Sequence, residues 1–208
     1  MDSWVLALND AEFREPQECL RFEEELLRRG EGALWTWESR AECVVLGQSG
    51  RAERDAYVDR CAADGVPILK RCSGGGAVLL GPGCLVYALV LPIEWWPELR
   101  DVQHSKRWVM DRVRRALGVE GLSVEGISDL ALNGRKVSGN AQRRSSKAIL
   151  HHGTILYNFD VSRVGQYLKM PHKEPEYRAG RAHEEFLTNL PVGVDEVRRG
   201  LIGEFGPR

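Results

Sequence analysis

Apolar residues recur along the chain with two different spacings, and the alternation between them predicts an α/β fold. Spacings of three and four residues predict helices at 16–29, 54–64, 105–117 and 161–168, with a last helix within 190–201. Short apolar runs predict strands at 33–37, 42–46, 85–91 and 149–157. Residues 4–9 are predicted to form a short buried strand or the lead-in to a helix. Strands and helices that alternate in this way predict a β-sheet covered by helices.

Three consecutive glycines, Gly74 to Gly76, separate the apolar runs Val66–Leu69 and Ala77–Leu80. Glycine loses more backbone entropy on folding than any other residue and adds no side chain to a core. Such a run is expected where the backbone takes positive φ or lies against another group. Backbone amides in a tight turn bind anions, and the neighbouring Arg71 and Ser73 add a cation and a hydroxyl. A plain glycine-rich hairpin turn is the alternative interpretation.

A second motif extends from Ser128 to Gln142 and is centred on Asn133-Gly134, the strongest short-range signal of a β-hairpin. The second strand of this hairpin begins at Arg135-Lys136. Gly139 interrupts that strand, which indicates a bulge or the close approach of another group. The hairpin therefore presents a lysine beside an irregular stretch of strand.

A long charged loop from Met170 to Phe186 follows the strand that contains His151 to Thr154. Loops of this length in compact domains are usually functional or disordered. The loop is therefore a candidate part of a functional site.

Composition restricts the possible partners. The 208 residues are 43% hydrophobic and 28% charged with a net charge of −1, as expected of one globular domain. A near-neutral chain is not held electrostatically by nucleic acid or by an anionic membrane. The longest apolar run, 77–93, is broken at Gly81-Pro82-Gly83 and is too short to span a bilayer.

Five cysteines without close pairs favour a reducing compartment and no zinc site. The start of the chain lacks the features of a signal peptide. These features predict a cytoplasmic protein.

Three motifs in register resemble the lipoate–protein ligase family, within the group of biotin and lipoate ligases and octanoyltransferases. They are Arg-x-Ser-Gly-Gly-Gly-Ala-Val at 71–78, Gly-Arg-Lys-Val-Ser-Gly-Asn-Ala at 134–141 and His-Gly-Thr at 152–154. Val44–Gly47 and Leu187–Leu190 also fit, so the resemblance covers nearly the whole chain. It implies a mixed β-sheet flanked by helices, similar to class II synthetases. It also implies a single catalytic domain over residues 1–208, without the C-terminal accessory domain of many ligases.

The resemblance implies a two-step reaction. ATP and Mg²⁺ would activate lipoic acid to lipoyl-adenylate, and the acyl group would pass to a lysine of a lipoyl domain or a glycine-cleavage H-like carrier protein. Lys136 would be the catalytic residue, reaching the carboxylate oxygen and the α-phosphate. A charge placed where negative charge grows contributes roughly 3–4 kcal/mol to catalysis. Arginine should replace this compact point charge poorly.

The resemblance assigns substrate or adenylate binding to a set of motif residues: Arg71, Ser73, Gly74, Gly75, Gly76, Ala77, Asp129, Ser138, Gly139, Asn140, Ala141, His152, Gly153 and Thr154. Arg71 and the glycine backbone would hold phosphate or carboxylate. Asp129 would orient the ribose, the magnesium ion or the incoming amine.

Within that set, neutral hydrogen-bond donors would come from Ser73, Ser138 and Asn140. His152 and Thr154 would line the pocket, whereas the adjacent His151 is interpreted as a structural residue.

The chain departs from the family pattern at two places. The glycine loop usually continues with His-Asp-x-Gly-Asn, whereas residues 80–84 here are Leu-Gly-Pro-Gly-Cys, and Ser128 replaces the asparagine before Asp129. Either a separate accessory protein completes the adenylation site, or the enzyme closes over the adenylate by itself. In the second case the loop from Tyr177 to Glu185 would cover the intermediate and exclude water.

Three other functions stay open. An octanoyltransferase of the same fold transfers an acyl chain without ATP, in some cases through a cysteine thiolate. The positions expected for that cysteine hold Ser128 and His151, and Cys72 and Cys84 are interpreted as packing residues, so a ligase is favoured. A biotin ligase fits the lysine hairpin less well. A non-catalytic module that binds lipoate or its adenylate is the third alternative.

Overall fold

The computed structural model describes residues 4–7 and 15–206, which form ten strands and seven α-helices. The strands are β1 Trp4–Ala7, β2 Gly32–Glu38, β3 Cys43–Leu46, β4 Ile68–Lys70, β5 Val78–Leu80, β6 Cys84–Pro92, β7 Leu122–Glu125, β8 Asp129–Leu132, β9 Arg135–Arg144 and β10 Ala148–Leu156. The helices are α1 Pro16–Arg29, α2 Ala52–Asp55, α3 Val58–Ala63, α4 Val102–Leu117, α5 Val164–Tyr167, α6 His183–Phe186 and α7 Val194–Phe205. Short 3₁₀ turns lie at Pro97–Leu99, Val161–Arg163 and Glu176–Arg178.

The strands form two sheets. Seven of them are ordered β1-β2-β6-β10-β9-β8-β7, and the other three are ordered β4-β3-β5. The β1–β2 and β3–β4 pairs are parallel and the other pairs are antiparallel. The mixed sheet flanked by helices that the sequence predicts is therefore confirmed.

The large sheet separates two apolar clusters. On one face, which we call the α1 face, Trp35, Trp37 and Val86 pack with α1 and the small sheet. On the other, the α4 face, Leu85, Tyr87 and Leu89 pack with α4 and α7. Strand β6 is buried at every position because both of its faces are covered, which explains its unbroken apolar sequence.

The sequence locates the strongly patterned elements well. Helix α1 has the predicted bounds and ends at Gly30 with a φ of 73°. Strands β2, β6 and β10 each match the predicted range to within one residue at either end, and α4 starts three residues earlier than predicted.

Elements whose apolar spacing is less regular differ more from the prediction. The single helix predicted at 54–64 is wrong, because Ala56 leaves the helical conformation to form a bridge with Leu168 and so separates α2 from α3. The last helix begins at Val194, since the amide of Leu190 instead donates to the carbonyl of Leu156. Of the predicted strand at 4–9, residues 8 and 9 lie outside the described part of the chain.

Within residues 4–7 and 15–206, no helix is both long and apolar enough to cross a bilayer.

The packing of α7 on α4 depends on Gly200. A Cβ at this position would lie 1.9 Å from the carbonyl oxygen of Ala116 on α4. Two ion pairs flank the crossing, from Arg112 and Arg115 to Glu204, each at 3.0 Å. Gly203 lies on the same helix, but a Cβ there would meet nothing within 4 Å.

These two glycines provide a matched test of the packing. We expect Gly200→Ala to lower the free energy of unfolding by about 1–3 kcal/mol, because the helices must separate. Gly203→Ala should raise it by about 0.5–1 kcal/mol, because alanine restricts the unfolded chain and favours the helix. Urea unfolding of the three proteins measures both changes. Equal stability of the two variants would show that α7 does not lie this close to α4.

Candidate active site

A two-residue turn connects β8 to β9, as the sequence predicts. Asn133 and Gly134 have φ values of 51° and 73°. Positive φ at both central residues is what a tight type I′ hairpin turn requires. Lys136 follows as the second residue of β9.

A β-bulge decides where the side chain of Lys136 lies. Leu130 pairs with Ser138, but the neighbouring Ala131 pairs with Lys136, so Val137 is an extra residue in β9. Side chains alternate between the faces of a strand, and an unbroken β9 would place Lys136 on the α4 face with Ser138. Because of the bulge, Lys136 lies on the α1 face.

The contacts of Lys136 agree with this placement. Its Nζ lies 2.8 Å from Oδ1 of Asp129, and Asp129 pairs with Gly139 in the sheet. A Cβ at Gly139 would be 2.8 Å from the same Nζ, so the lysine lies directly over the glycine backbone. Gly139 therefore marks the close approach that its position in a strand indicates.

The other oxygen of Asp129 is also bound. The hydroxyl of Tyr177, in the long loop, donates to Oδ2 at 2.9 Å. The carboxylate thus holds a lysine on one oxygen and a tyrosine on the other.

The glycine loop lies along the end of β3. The carbonyl of Leu46 accepts from the amide of Arg71 at 3.0 Å, and the amide of Gln48 donates to the carbonyl of Ser73 at 2.7 Å. A Cβ at Gly47 would be 2.1 Å from the carbonyl oxygen of Gly75, which explains the glycine at the end of β3.

The amides of the loop are available for a ligand. Gly74, Gly75 and Gly76 are exposed, and Gly75 has a φ of 92°. Among the hydrogen bonds of the described residues, none is donated by an amide of these three glycines. Exposed amides in such a turn are the donors that an anion requires.

Arg71 contacts the loop itself. Its Nη2 donates to the carbonyls of Gly74 at 2.7 Å and Gly76 at 2.9 Å, and its Nε donates to Oγ of Ser73 at 3.1 Å. Burial lowers the pKa of Arg71 to about 10, so the side chain stays charged at neutral pH. In this structure the guanidinium braces the glycine loop, and its contact with phosphate or carboxylate stays a prediction.

A buried chain of hydrogen bonds attaches the loop to the sheet. Nε2 of His152 lies 2.5 Å from Oγ of Ser73, and Nδ1 contacts the carboxylate of Glu23 on α1. The indole of Trp37 donates to the same carboxylate at 2.8 Å. Glu23, Ser73 and His152 are each less than 5% exposed.

Lys136 and the glycine loop therefore lie over the same face of the sheet. His152 pairs with Ala141 on β9, and Ala141 is two residues from Gly139, which lies under Lys136. Because two residues of a strand span about 7 Å, the backbone under Lys136 and the residue that pairs with His152 are about that far apart. Ala141, His152 and Thr154 lie on the α1 face, and Ala77 packs against the cluster on that side.

Ser138 and Asn140 lie on the opposite face. The Asn140 amide donates to Oγ of Ser138 at 3.0 Å and to the carbonyl of Ser128 at 2.7 Å, and its oxygen accepts from Tyr87 at 2.5 Å. Their predicted role as donors to the substrate is not supported, because these polar atoms are used within the α4 side. The arrangement also explains Gly153, where a Cβ would lie 1.8 Å from Oδ1 of Asn140.

His151 is also on the α4 face. It is fully buried beside the ring of Tyr87, and burial lowers its pKa to about 3. Its position agrees with the structural interpretation.

The segment that departs from the family pattern forms an apolar turn into β6. Leu80 and Cys84 are buried, and the amide of Gly83 donates to Oε1 of Glu38 at 2.8 Å. Its backbone thus contacts β2, and its two large side chains lie in the core.

A magnesium site made by the protein alone is not supported. Nowhere in the described ranges do three histidine, cysteine or acidic side chains converge as metal ligands would. The assignment of Asp129 to a magnesium ion that the nucleotide brings stays a prediction.

Sequence reasoning missed Glu23, although a signal was present. Helix α1 buries Cys19, Leu26 and Leu27 on one stripe, and Glu23 falls on that stripe. A carboxylate on the apolar face of a helix requires a buried partner, and His152 is that partner. Trp37 gave no comparable signal, because a tryptophan is expected in a buried strand whether or not its indole has a partner. Tyr177 lies in the loop that the sequence singles out, but nothing near it in the sequence identifies Asp129 as its partner.

Removal of Glu23 tests the buried chain. We expect Glu23→Ala to lower the free energy of unfolding by about 3 kcal/mol, because His152 and the indole of Trp37 lose their partner in a site without water access. Glu24→Ala, at an exposed position of the same helix, should change it by less than about 0.5 kcal/mol. Urea denaturation followed by tryptophan fluorescence checks both. A small effect at Glu23 would contradict the buried chain.

The fold is similar to that of several solved structures. A bipartite lipoate protein ligase from Thermoplasma acidophilum, described with its E2 lipoyl domain, is 23% identical with a TM-score of 0.78, over 99% of this chain and 82% of that chain. A putative lipoate protein ligase from the same organism with bound lipoic acid is 21% identical with a TM-score of 0.77, over 99% and 85%. A lipoate-protein ligase A bound with ATP is 22% identical with a TM-score of 0.79, over 99% and 84%.

The resemblance drawn from the three motifs is confirmed by a match over nearly the whole chain. The family described as lipoyl protein ligase A/B catalytic domain matches residues 15–205, and this chain belongs to that family.

Proposed function

We propose that this chain is a lipoate–protein ligase that activates lipoate with ATP and transfers the lipoyl group to a lysine of a carrier protein. The observation that carries the proposal is the joint placement of Lys136 and the free amides of Gly74, Gly75 and Gly76 over one face of the sheet. Membership of the family supports it, as do the lipoic acid and the ATP named with two structures of the same fold.

In the first step, a carboxylate oxygen of lipoate attacks the α-phosphorus of ATP, and pyrophosphate leaves with the electron pair of the broken bond. Negative charge grows on the α-phosphate during this attack. The ammonium of Lys136 would stabilise that charge, and the glycine amides would bind oxygens of the anionic groups. Both kinds of donor are fixed before the substrate arrives, Lys136 by Asp129 and the loop by Arg71 and His152.

In the second step, the amine of the acceptor lysine attacks the acyl carbonyl, and AMP leaves. Asp129 would orient the incoming amine, since each oxygen of a carboxylate accepts more than one hydrogen bond. Lys136 would stabilise the charge that develops on the departing phosphate. Any magnesium ion would be held mainly by phosphate oxygens and water, as is usual for this ion at nucleotide sites.

The proposed acceptor is a lipoyl domain, because the archaeal ligase of the same fold is described with its E2 lipoyl domain. A glycine-cleavage H-like protein is the alternative acceptor. The same relative is bipartite, and residues 80–84 here offer no polar side chain. A separate accessory protein that completes the adenylation site is therefore one proposal, and closure by the chain's own loop is the other.

The cysteines favour a ligase over a thiolate-dependent octanoyltransferase. Burial raises the pKa of Cys72 to about 11, and Cys84 is completely buried with its pKa raised for the same reason. Neither thiol is ionised at neutral pH, as a nucleophile must be. Both residues pack in or against the cluster on the α1 face, in agreement with the sequence interpretation.

A reconstituted assay tests the proposed function. We expect the protein, mixed with lipoate, ATP, Mg²⁺ and a lipoyl domain, to add one lipoyl mass to the domain, as measured by intact-protein mass spectrometry. Omission of ATP should prevent the addition. Transfer from octanoyl carrier protein without ATP would identify an octanoyltransferase instead. Tight binding of lipoyl-adenylate without any transfer would identify a non-catalytic module.

Lys136 is the residue on which the chemistry depends. We expect Lys136→Ala to reduce lipoyl transfer by roughly 10²- to 10³-fold, because the charge at the reacting phosphate is lost. Far-ultraviolet circular dichroism should be unchanged, since the substitution leaves the backbone pairing of β8 with β9 intact. Lys147→Ala, at an exposed position in the turn between β9 and β10, should retain normal turnover. Near-normal turnover of Lys136→Ala would exclude the proposed role.

A further inference from the structure

The carboxylate of Asp129 is held from both sides by donors that come from different parts of the chain. Lys136 binds Oδ1 at 2.8 Å from within the hairpin, and Tyr177 binds Oδ2 at 2.9 Å from the long loop. The Asp129 side chain is 15% exposed and that of Lys136 is 25% exposed. The pair is therefore partly shielded, and its geometry is sensitive to each hydrogen bond.

Tyr177 is itself fixed in place by the residues around it. Its ring packs on Phe186 with centroids 5.0 Å apart. A Cβ at Gly126, in the turn before β8, would lie 3.8 Å from the same ring. Nη2 of Arg181 donates to the Tyr177 carbonyl at 2.6 Å and to the Gly134 carbonyl at 2.9 Å, which connects the loop to the lysine hairpin.

The hydroxyl of Tyr177 remains a hydrogen-bond donor under working conditions. Burial first, and then the charge of Asp129, raise the pKa of Tyr177 well above its usual range. A carboxylate with a donor on each oxygen cannot rotate about its Cβ–Cγ bond without losing one of them. The ammonium that it holds is then confined to one position.

We propose that Tyr177 is a positioning residue of the ligation reaction, whose hydroxyl fixes the Asp129 carboxylate and thereby the Lys136 ammonium. This role rests on the proposed function. A displacement of about 1 Å in a catalytic group lowers rates by up to 10²-fold. Loss of the Tyr177 hydroxyl therefore acts on turnover through Asp129, without contact between Tyr177 and the reacting atoms.

The chain offers a matched control for the hydroxyl. Tyr157 donates to Oε2 of Glu38 at 2.7 Å, also a partly buried tyrosine–carboxylate pair, and its ring packs against the cluster on the α4 face. Replacing either tyrosine by phenylalanine removes one hydroxyl and keeps the ring. A purely structural effect of such a loss should be similar at the two positions.

Steady-state kinetics of lipoyl transfer separate the roles. We expect Tyr177→Phe to lower kcat about tenfold and to leave KM for lipoate unchanged within twofold, because positioning affects the transition state rather than substrate binding. Tyr157→Phe should retain the wild-type kcat. Equal kcat for both variants, or a change confined to KM, would overturn the proposal.

A second measurement does not depend on activity. Hydrogen exchange of the amides at 176–187, followed by mass spectrometry on the ligand-free protein, should be several-fold faster in Tyr177→Phe than in the wild type or Tyr157→Phe. Unchanged exchange would show that the hydroxyl does not hold the loop and would also overturn the proposal. If the wild type makes no lipoyl-domain product, the proposed function fails, and the role of Tyr177 in that reaction fails with it. The exchange comparison then still decides whether the hydroxyl tethers the loop.

Discussion

One extra residue in β9 determines which face of the sheet carries Lys136. Without the bulge at Val137, alternation along the strand would direct Lys136 to the α4 side, together with Ser138 and Asn140. Asp129 and the glycine loop lie on the α1 side, and no side-chain rotation moves a lysine through a sheet. The bulge is therefore the constraint on which the assembly of the site depends.

The glycine loop needs a different kind of support, because three glycines contribute no side chains of their own. The loop is held from outside, by Arg71 on its carbonyls and by His152 on Ser73, and His152 is held in turn by Glu23. These contacts use the carbonyls of Gly74 and Gly76 and the hydroxyl of Ser73. In the part of the chain that the structure describes, no amide of Gly74 to Gly76 donates a hydrogen bond. The loop therefore presents exposed amide donors, while the Arg71 guanidinium is hydrogen-bonded to the loop itself.

Several motif residues lie on the α4 face, on the opposite side of the sheet from Lys136 and the glycine loop. Asn140 crosses over Gly153 to reach Tyr87, and in doing so it joins β9 to β10 and β6 at the level of the site. Its partner Ser138 and the backbone of Ser128 complete this network on the α4 face. These polar residues of the motif therefore connect the strands on the α4 face and do not face Lys136.

The sequence by itself determined the elements that local physics specifies. The apolar stripe and glycine cap of α1, the unbroken apolar run of β6 and the Asn133-Gly134 turn each depend on residues close together in the chain, and the structure has them where predicted. The motifs likewise predicted that the lysine hairpin and the glycine loop form one site, and the structure has both over the same face of the sheet.

Only the tertiary structure decided on which face of the sheet each motif side chain lies. A slip of one residue reverses every side chain of a strand. Gly139 indicates an irregularity in β9 but not that Val137 is the extra residue, and the break at Ala56 has no local sequence signal. The roles of Glu23 and Tyr177 depend on partners 129 and 48 residues away. Such contacts arise from the packing of α1 and the long loop against the sheet, which the spacing of apolar residues does not specify.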